Sequence, residues 1–132
     1  MDVTAGTPQI AIGSLIQPLP HIRSGRLKPL GVGSPQRVPA LPDVPTISEA
    51  GVPGYEASNW WGMVAPSGTP RPVVARLNKE ISAILATAET KKRFETEGGE
   101  AVQMSPEEFG RFIVSETAKW AKVVKETGIK PE

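Results

Sequence analysis

The segment from Leu41 to Pro70, LPDVPTISEAGVPGYEASNWWGMVAPSGTP, constrains the fold of this chain more than any other stretch. Proline restricts φ and glycine tolerates left-handed backbone, so their close spacing here fixes where the chain must bend. Between the turns lie one helix start, at Thr46, and one aromatic run, at Trp60 and Trp61. The segment therefore predicts a fixed succession of turn, short helix, strand and loop.

Along the whole chain, the patterns predict strands that alternate with helices. Short apolar runs bounded by turn residues predict four strands, at Gln9–Ile12, Leu27–Gly33, Tyr55–Val64 and Ala101–Met104. Helices are predicted from about Gln17 to Arg23, from a capping box at Thr46, from a cap at Thr69, from about Ala88 to Glu97, and from a second capping box at Ser105 to Gly128. Such alternation predicts an α/β layered domain.

The two longest predicted helices each carry an apolar stripe that is expected to face a core. In the first, a spacing of three and four residues joins Val74, Leu77, Ile81 and Ile84. In the last, the stripe consists of Phe109, Phe112, Ile113, Trp120, Val123 and Val124. The acidic residues of the helices are expected on solvated faces or at caps, and they include Glu95, Glu97, Glu107, Glu108, Glu116 and Glu126.

Composition excludes several classes of function. Fifteen basic and 14 acidic residues nearly cancel, so no basic surface of the kind that binds nucleic acid is predicted. The chain has no cysteine, which removes thiol catalysis, thiolate metal sites and disulfides. Its apolar runs fall short of a membrane span. The first residues, MDVTAGTPQIAIG, lack the pattern of a secretion signal, so a chain that began here would be expected in the cytoplasm.

The chain offers little for catalysis. Its single histidine, His21, has no G-x-S-x-G nucleophile motif to work with and cannot form a zinc site alone. Its place near the end of a short helix favours a structural role. The pair Gly31 and Gly33 lacks the third glycine of a dinucleotide-binding loop. The sequence therefore predicts no catalytic residue, no metal site and no cofactor.

Three stretches carry a family resemblance: HIRSGRLKPLGVGSPQR, the turn-rich segment described above, and SPEEFGRFIVSETAKWAKVVKETGIKPE. Together they resemble the C-terminal half of the Bug-type extracytoplasmic solute-binding receptors of tripartite tricarboxylate transporters. The resemblance implies part of a two-lobed type II periplasmic-binding-protein fold, with short mixed sheets flanked by helices. It assigns residues 1–56 to a remnant of one lobe, residues 57–66 to a crossover or hinge strand, and residues 67–132 to the other lobe.

The resemblance also implies a function and its partners. A receptor of this family captures a small carboxylated metabolite by lobe closure outside the cytoplasmic membrane and passes it to membrane transporter subunits. In the family, two main carboxylate-holding loops precede the region that this chain matches, so the isolated chain is expected to hold a dicarboxylate poorly. The alternative is a ligand-incompetent interaction remnant that forms a homodimer by segment exchange.

Five residues are candidates for ligand binding. Ser14 lies between a predicted strand and a predicted helix, where free amides and a hydroxyl suit a carboxylate; a plain helix N-cap is the other interpretation. Trp60 and Trp61 point to opposite faces of a strand, so at least one is expected in a core and the other in a core or a cleft. Gly62 permits close approach to the backbone, and Ser58 is a weaker candidate.

Arg37 has two interpretations. It lies in the loop SPQR after the second predicted strand, where its guanidinium is suited either to a ligand carboxylate or to a structural ion pair with Asp43. The structural role is the favoured one.

Overall fold

Four helices make up the regular secondary structure of the described residues. The structure, a computed structural model, describes residues 10–129. The helices are Leu19–Arg23 (α1), Arg71–Ala86 (α2), Ala88–Thr96 (α3) and Pro106–Thr127 (α4). The chain divides into two compact units. Within the described residues, the first unit comprises 10–64 with Thr87–Ala101, and the second comprises Ala65–Ala86 with 102–129.

The predicted strands do not form sheets within residues 10–129. The strand pairing found there is one isolated parallel bridge, between Val32 and Thr46, so the strand predicted at Leu27–Gly33 is reduced to a single paired residue. Tyr55–Val64, Ala101–Met104 and residues 10–12 are irregular, and Gln9 lies outside the described residues. A strand requires a hydrogen-bonded neighbour. In the described part of the chain these segments form no ladder of strand pairing, so the expectation of short mixed sheets is not confirmed there.

The Val32–Thr46 bridge lies in the interior of the first unit. The Val32 amide donates to the Pro45 carbonyl at 3.0 Å, and the Ile47 amide donates to the Val32 carbonyl at 2.9 Å. Thr46 and the neighbouring Val44 are both buried. The bridge therefore joins two stretches that are separated by a long loop, and it holds them against the interior of the unit.

A second part of the interior of this unit forms around Leu19 of α1, which is only 2% exposed. The C-terminal end of α3 packs there, because Gly98 comes so near that a Cβ on it would lie 3.0 Å from Leu15 Cγ and 3.3 Å from Leu19 Cδ2. Gly98 has φ +81°, a left-handed conformation that favours glycine. The predicted end of this helix at Gly98-Gly99 is confirmed.

The capping box at Thr46 forms, but the helix predicted after it does not. The Glu49 amide donates to Thr46 Oγ1 at 3.0 Å, and the Thr46 amide donates to Glu49 Oε2 at 2.8 Å. Residues 47–51 form turns only. Gly51 leaves the helical conformation at φ +122°, before a second turn can add hydrogen bonds to the first. The predicted cap is confirmed, and the predicted helix is wrong.

In the second unit, α2 and α4 pack against each other. The half-buried face of α2 includes Val74 and Ile81, as predicted, but Leu77 and Ile84 are exposed. The half-buried face also includes the polar Asn78, whose Nδ2 donates to the Met104 carbonyl at 2.9 Å. That hydrogen bond fastens the segment before α4 to the side of α2.

The stripe predicted for α4 is correct in part. Its half-buried members are Phe109, Phe112, Ile113 and Val123, whereas Trp120 and Val124 are exposed. Glu116, expected on a solvated face, is instead 9% exposed. The Trp120 indole Nε1 donates to Glu116 Oε2 at 3.1 Å, and Lys119 Nζ forms an ion pair with Glu116 Oε1. These partners satisfy the carboxylate where it is buried.

Both ends of α4 match the sequence prediction. Ser105 Oγ accepts from the Glu108 amide at 3.2 Å, and Glu108 Oε2 accepts from the Ser105 amide at 2.8 Å. Pro106 occupies the first turn, where its missing N–H costs no hydrogen bond. Gly128 ends the helix in a left-handed conformation at φ +69°. The second capping box and the glycine stop are confirmed.

We expect the cap of α4 to weaken as the pH falls. The hydrogen bond from the Ser105 amide, followed by that involving its hydroxyl, lowers the pKa of Glu108 below its ordinary value. A carboxyl group with a lowered folded-state pKa stabilises the protein above its unfolded pKa, and that contribution is lost as pH falls through the folded pKa. Urea titrations at descending pH should therefore show a steeper loss for the wild type than for Glu108→Gln, which keeps an acceptor oxygen but does not titrate.

Removal of the cap itself should lower stability at every pH. Ser105→Ala leaves the Glu108 amide without its side-chain acceptor, and we expect a loss of about 1 kcal/mol in the free energy of unfolding. Ser115→Ala is the matched control, because the Ser115 hydroxyl donates to the Phe112 carbonyl on an exposed part of the same helix. Equal losses in the two variants would contradict a capping role for Ser105.

Within the described residues, none of the helices combines the length and the apolar composition that a membrane crossing requires.

Candidate ligand-binding site

Four of the five candidate residues lie in one extended segment, Tyr55–Val64, which the first unit holds at its start. The Tyr55 amide donates to the Val52 carbonyl at 3.1 Å, and the Ala57 amide donates to the Gly33 carbonyl at 2.9 Å. Beyond Ala57, the residues from Ser58 to Val64 are exposed and irregular. The segment is thus fixed at its N-terminal end and presents its side chains to solvent beyond that point.

Neither tryptophan of this segment lies in a core. Trp60 is 42% exposed and Trp61 is 74% exposed. The expectation that at least one of them is a core residue is therefore wrong for this chain. Trp61 is still more exposed than Trp60, as expected when neighbouring side chains of an extended backbone point to opposite sides.

Ser58 and Gly62 lie on the same exposed segment as the tryptophans. Ser14 is half-buried and lies immediately before the turn that leads into α1. The N-cap of α1 is Pro18, with no side-chain cap hydrogen bond, so the interpretation of Ser14 as the N-cap is wrong. Among the described residues, no backbone hydrogen bond joins Ser14 to the Tyr55–Val64 segment. It therefore groups four candidates and leaves the fifth apart.

His21 takes the helix-terminal position that its sequence context predicts. It is half-buried near the end of α1, and its backbone carbonyl accepts from the amides of Arg26 at 2.9 Å and Leu27 at 3.2 Å. The Ser24 hydroxyl also donates to this carbonyl at 3.1 Å. These bonds terminate α1 and explain a structural role for His21.

The structural role predicted for Arg37 is confirmed, but its expected partner is wrong. Arg37 Nε lies 3.0 Å from Glu49 Oε2 and 3.4 Å from Glu49 Oε1, and its Nη1 donates to the Pro42 carbonyl at 3.3 Å. Asp43 is not the partner. The pKa of Glu49 is lowered first by the hydrogen bond from the Thr46 amide and then by Arg37. The carboxylate is thus held in its charged form by a cap and an ion pair together.

Gly33 is the residue whose importance the sequence did not reveal. A Cβ on Gly33 would collide with the Ala57 carbonyl oxygen, which is backbone and has no rotamer through which to move away. In the sequence it is only the last residue of the predicted strand Leu27–Gly33. Its pairing with Ala57 depends on contact between segments far apart in sequence, so no local pattern predicts it.

Two surface concavities lie outside the candidate residues. One, of about 280 Å³ in the first unit, is lined by Pro39, Lys91, Glu95, Gly99, Glu100 and Ala101. The other, of about 260 Å³ in the second unit, is lined by Asn78, Ser82, Gln103, Met104, Ser105 and Glu108. Both concavities are open to the surface. Among the described residues, each buried polar side-chain atom has a hydrogen-bond partner. The described residues also contain no cluster of three side chains suited to a metal ion.

Comparison with known proteins places this geometry in a family of receptors. Residues 1–129 match the family model described as tripartite tricarboxylate transporter family receptor. The chain belongs to this family. It is 35% identical to the protein BugT of Bordetella pertussis over 130 residues, which cover 98% of this chain and 40% of BugT. The chain spans 38 to 40% of the length of the curated relatives that it matches most strongly.

Two similar solved structures contain small carboxylates. Rpa4515 of R. palustris, solved with adipate, is 38% identical and superposes with a TM-score of 0.79 over 89% of this chain and 40% of its own. MatC (Rpa3494) from Rhodopseudomonas palustris, with bound malate, is 34% identical and superposes with a TM-score of 0.73 over 83% of this chain and 38% of its own. The fold is therefore that of the periplasmic binding proteins of this family. The family is a class of solute-binding receptors rather than of enzymes.

Proposed function

We propose that this chain forms the C-terminal segment of a periplasmic solute-binding receptor for a tripartite tricarboxylate-type transporter. The receptor captures a small carboxylated metabolite by lobe closure and presents it to the membrane subunits. The observation that carries the proposal is the match of residues 1–129 to the receptor family, supported by the relatives that hold adipate and malate. The fold provides the lobes, and the ligand provides the contacts that favour the closed state.

In this proposal, the ligand cleft is bordered by Ser14, Ser58, Trp60, Trp61 and Gly62. The indole rings exclude water from the carbon chain between two carboxylates, and the serine hydroxyls donate hydrogen bonds to carboxylate oxygens. The exposure of Trp60 and Trp61, 42% and 74%, supports this assignment, because part of each side chain is accessible to a ligand.

Residues 57–66 act as the hinge strand in this proposal, residues 1–56 belong to one lobe, and residues 67–132 belong to the other. The irregular segment Tyr55–Val64 becomes a strand when the remainder of the receptor provides a hydrogen-bonded neighbour. Its exposed apolar side chains, Met63 and Val64 among them, support this, since they are then covered by the completed sheets.

A chimaeric receptor tests the proposal. The C-terminal region of Rpa4515 that superposes on this chain is replaced by the chain itself, and thermal unfolding is followed with and without adipate. We expect adipate to stabilise the chimaera by about 2.7 kcal/mol at a hundredfold excess over its dissociation constant. The isolated chain should show no shift with adipate or malate, because the loops that supply most carboxylate donors lie outside the matched region.

The control is the neutral diamide of adipic acid, which has the same length but lacks the two charges. It should give no shift with the chimaera. A chimaera that unfolds cooperatively yet ignores adipate at millimolar concentration contradicts the proposed function. A clear adipate shift in the isolated chain would instead show that these residues carry a working pocket by themselves.

A second candidate function is favoured by the exposed apolar residues of the first unit. Ile10, Ile12, Trp61, Met63 and Val64 are all exposed. An interaction remnant that does not bind ligand would cover them in a homodimer formed by segment exchange. Light scattering on the isolated chain distinguishes the two functions when it is combined with the chimaera. A dimer together with an inactive chimaera supports the remnant, and an active chimaera supports the receptor segment.

A further inference from the structure

We infer that Arg37 is a positioning residue for the tryptophan-bearing segment Tyr55–Val64. Its ion pair with Glu49 closes the loop of residues 34–42, and this loop leaves from Gly33, the residue on which the segment is anchored. Arg37 therefore acts on Trp60 through the backbone, without contact with a ligand. The inference goes beyond the proposed function, and only its final, ligand-binding test depends on that function.

The guanidinium of Arg37 joins three parts of the loop region. The arginine itself lies within the loop, its Nη1 binds the Pro42 carbonyl at the loop's far end, and its Nε binds the Glu49 carboxylate at 3.0 Å. A planar guanidinium with several fixed donors can hold such points in one geometry, which a single ammonium group cannot. The loop is thereby fastened to the turn that follows it.

Glu49 transmits this restraint to the parallel bridge. Its carboxylate also accepts from the Thr46 amide at 2.8 Å, and Thr46 is the bridge partner of Val32. One carboxylate therefore holds Arg37 on one side and the bridge residue on the other. Because Thr46 is only 2% exposed, this carboxylate ties the exposed Arg37 to a buried residue of the bridge.

The bridge in turn sets the position of the segment's anchor. Val32 is followed directly by Gly33, whose carbonyl accepts from the Ala57 amide at 2.9 Å. The approach is so close that no Cβ fits at Gly33. Trp60 lies three residues beyond Ala57 on the same segment. A shift at Gly33 therefore moves the point from which the tryptophan-bearing residues leave.

The position of the Arg37–Glu49 pair matters more than its energy. The two side chains are 47% and 49% exposed, and pairs of this kind contribute little to global stability. Arg93 and Glu97 form a comparable exposed pair on α3 of the same unit, with Nε and Oε1 3.3 Å apart. That pair joins residues one helical turn apart and fastens no loop, so it is a control for the loss of an exposed arginine–glutamate pair.

The test measures amide hydrogen exchange at Ala57 in Arg37→Met. Removal of the guanidinium frees the loop, and the Gly33–Ala57 hydrogen bond should open more often. We expect the Ala57 amide to exchange about fivefold faster under conditions in which the protein stays folded, with the Leu19 amide in the core of the same unit unchanged. Arg93→Met should change neither amide. Arg37→Lys should give an intermediate rate, because it keeps the charge and loses the fork of donors.

Two results would overturn the inference. An unchanged Ala57 rate in Arg37→Met shows that the ion pair does not position the segment. An equal acceleration at Ala57 and Leu19 shows that Arg37 acts only on global stability. Glu49→Gln provides a second variant, because its amide oxygen can still accept from Thr46 while the charge that pairs with Arg37 is gone. It should reproduce the Arg37→Met pattern.

A ligand arm links the inference to the proposed function. In the chimaera described above, Arg37→Met should raise the dissociation rate of adipate severalfold, while Arg93→Met leaves it unchanged. If the parent chimaera does not bind adipate, the proposed function fails, and the exchange result at Ala57 still decides the positioning role. If adipate binds and Arg37→Met leaves its dissociation rate unchanged, the positioning role has no functional consequence and is overturned in that respect.

Discussion

Gly33→Ala should destabilise the first unit and displace the segment that carries Trp60 and Trp61. The added Cβ meets the Ala57 carbonyl oxygen. The Cβ is fixed to the backbone of residue 33 and the oxygen belongs to the backbone of Ala57, so neither can rotate away and one of the two segments must move. Overpacking of this kind costs typically about 1–3 kcal/mol. Because the same movement breaks the hydrogen bond from the Ala57 amide to the Gly33 carbonyl, we expect faster exchange at Ala57 together with a lower midpoint in urea.

The control for this substitution is Gly13→Ala in the same unit. No atom lies within 4 Å of a Cβ at Gly13, and its φ lies outside the left-handed region. Alanine there should leave stability unchanged or raise it slightly by restricting the unfolded chain. A Gly33→Ala variant that unfolds at the same urea concentration as Gly13→Ala would show that the close approach to Ala57 is not maintained in solution.

Glu116→Ala should destabilise the second unit through lost hydrogen bonding rather than lost apolar burial. The carboxylate accepts from the Trp120 indole and pairs with Lys119 where it is 9% exposed. Deleting it leaves these donors without that acceptor, a loss for which we expect about 1–2 kcal/mol. Urea unfolding followed by circular dichroism of the helices measures the change.

Two further variants separate the possible causes of that loss. Glu116→Gln keeps an oxygen acceptor for the indole and removes only the charge, so it should lose less than Glu116→Ala. Glu126→Ala removes the acid of the exposed pair with Lys122, whose atoms are 3.9 Å apart, and should change stability by less than about 0.5 kcal/mol. A loss in Glu126→Ala as large as that in Glu116→Ala would mean that burial at position 116 has no special effect.

The features that the sequence predicted correctly are those set by residues close together in the chain. Ser105 with Glu108 and Thr46 with Glu49 form both reciprocal bonds of a capping box because the partners are three residues apart. Gly98 and Gly128 end their helices in left-handed conformations for an equally local reason. The family resemblance rested on the same turn and cap residues, and the match over residues 1–129 confirms it.

The features that the sequence did not predict depend on which segments meet. Glu116 and Glu126 are both acids on the same helix, yet the structure buries only the first, at 9% exposed. In the sequence, the indication that Glu116 has partners on its own helix is its spacing of four residues to Trp120 and three to Lys119. This spacing does not by itself distinguish a buried carboxylate from a solvated one. For Arg37, the sequence likewise offers more than one acidic residue as an ion-pair partner. The fold of the loop brings Glu49, and not Asp43, within reach of its guanidinium.

By itself, the sequence determined where α4 begins, where α3 and α4 end, where the backbone turns, and to which family the chain belongs. It did so because caps, prolines and left-handed glycines act through hydrogen bonds and sterics within a few residues. Only the tertiary structure decided that Tyr55–Val64 forms no strand in the described part of the chain, that Gly33 supports it, and that Arg37 pairs with Glu49. These outcomes rest on contacts between distant segments, whose energies depend on a geometry that no local pattern contains.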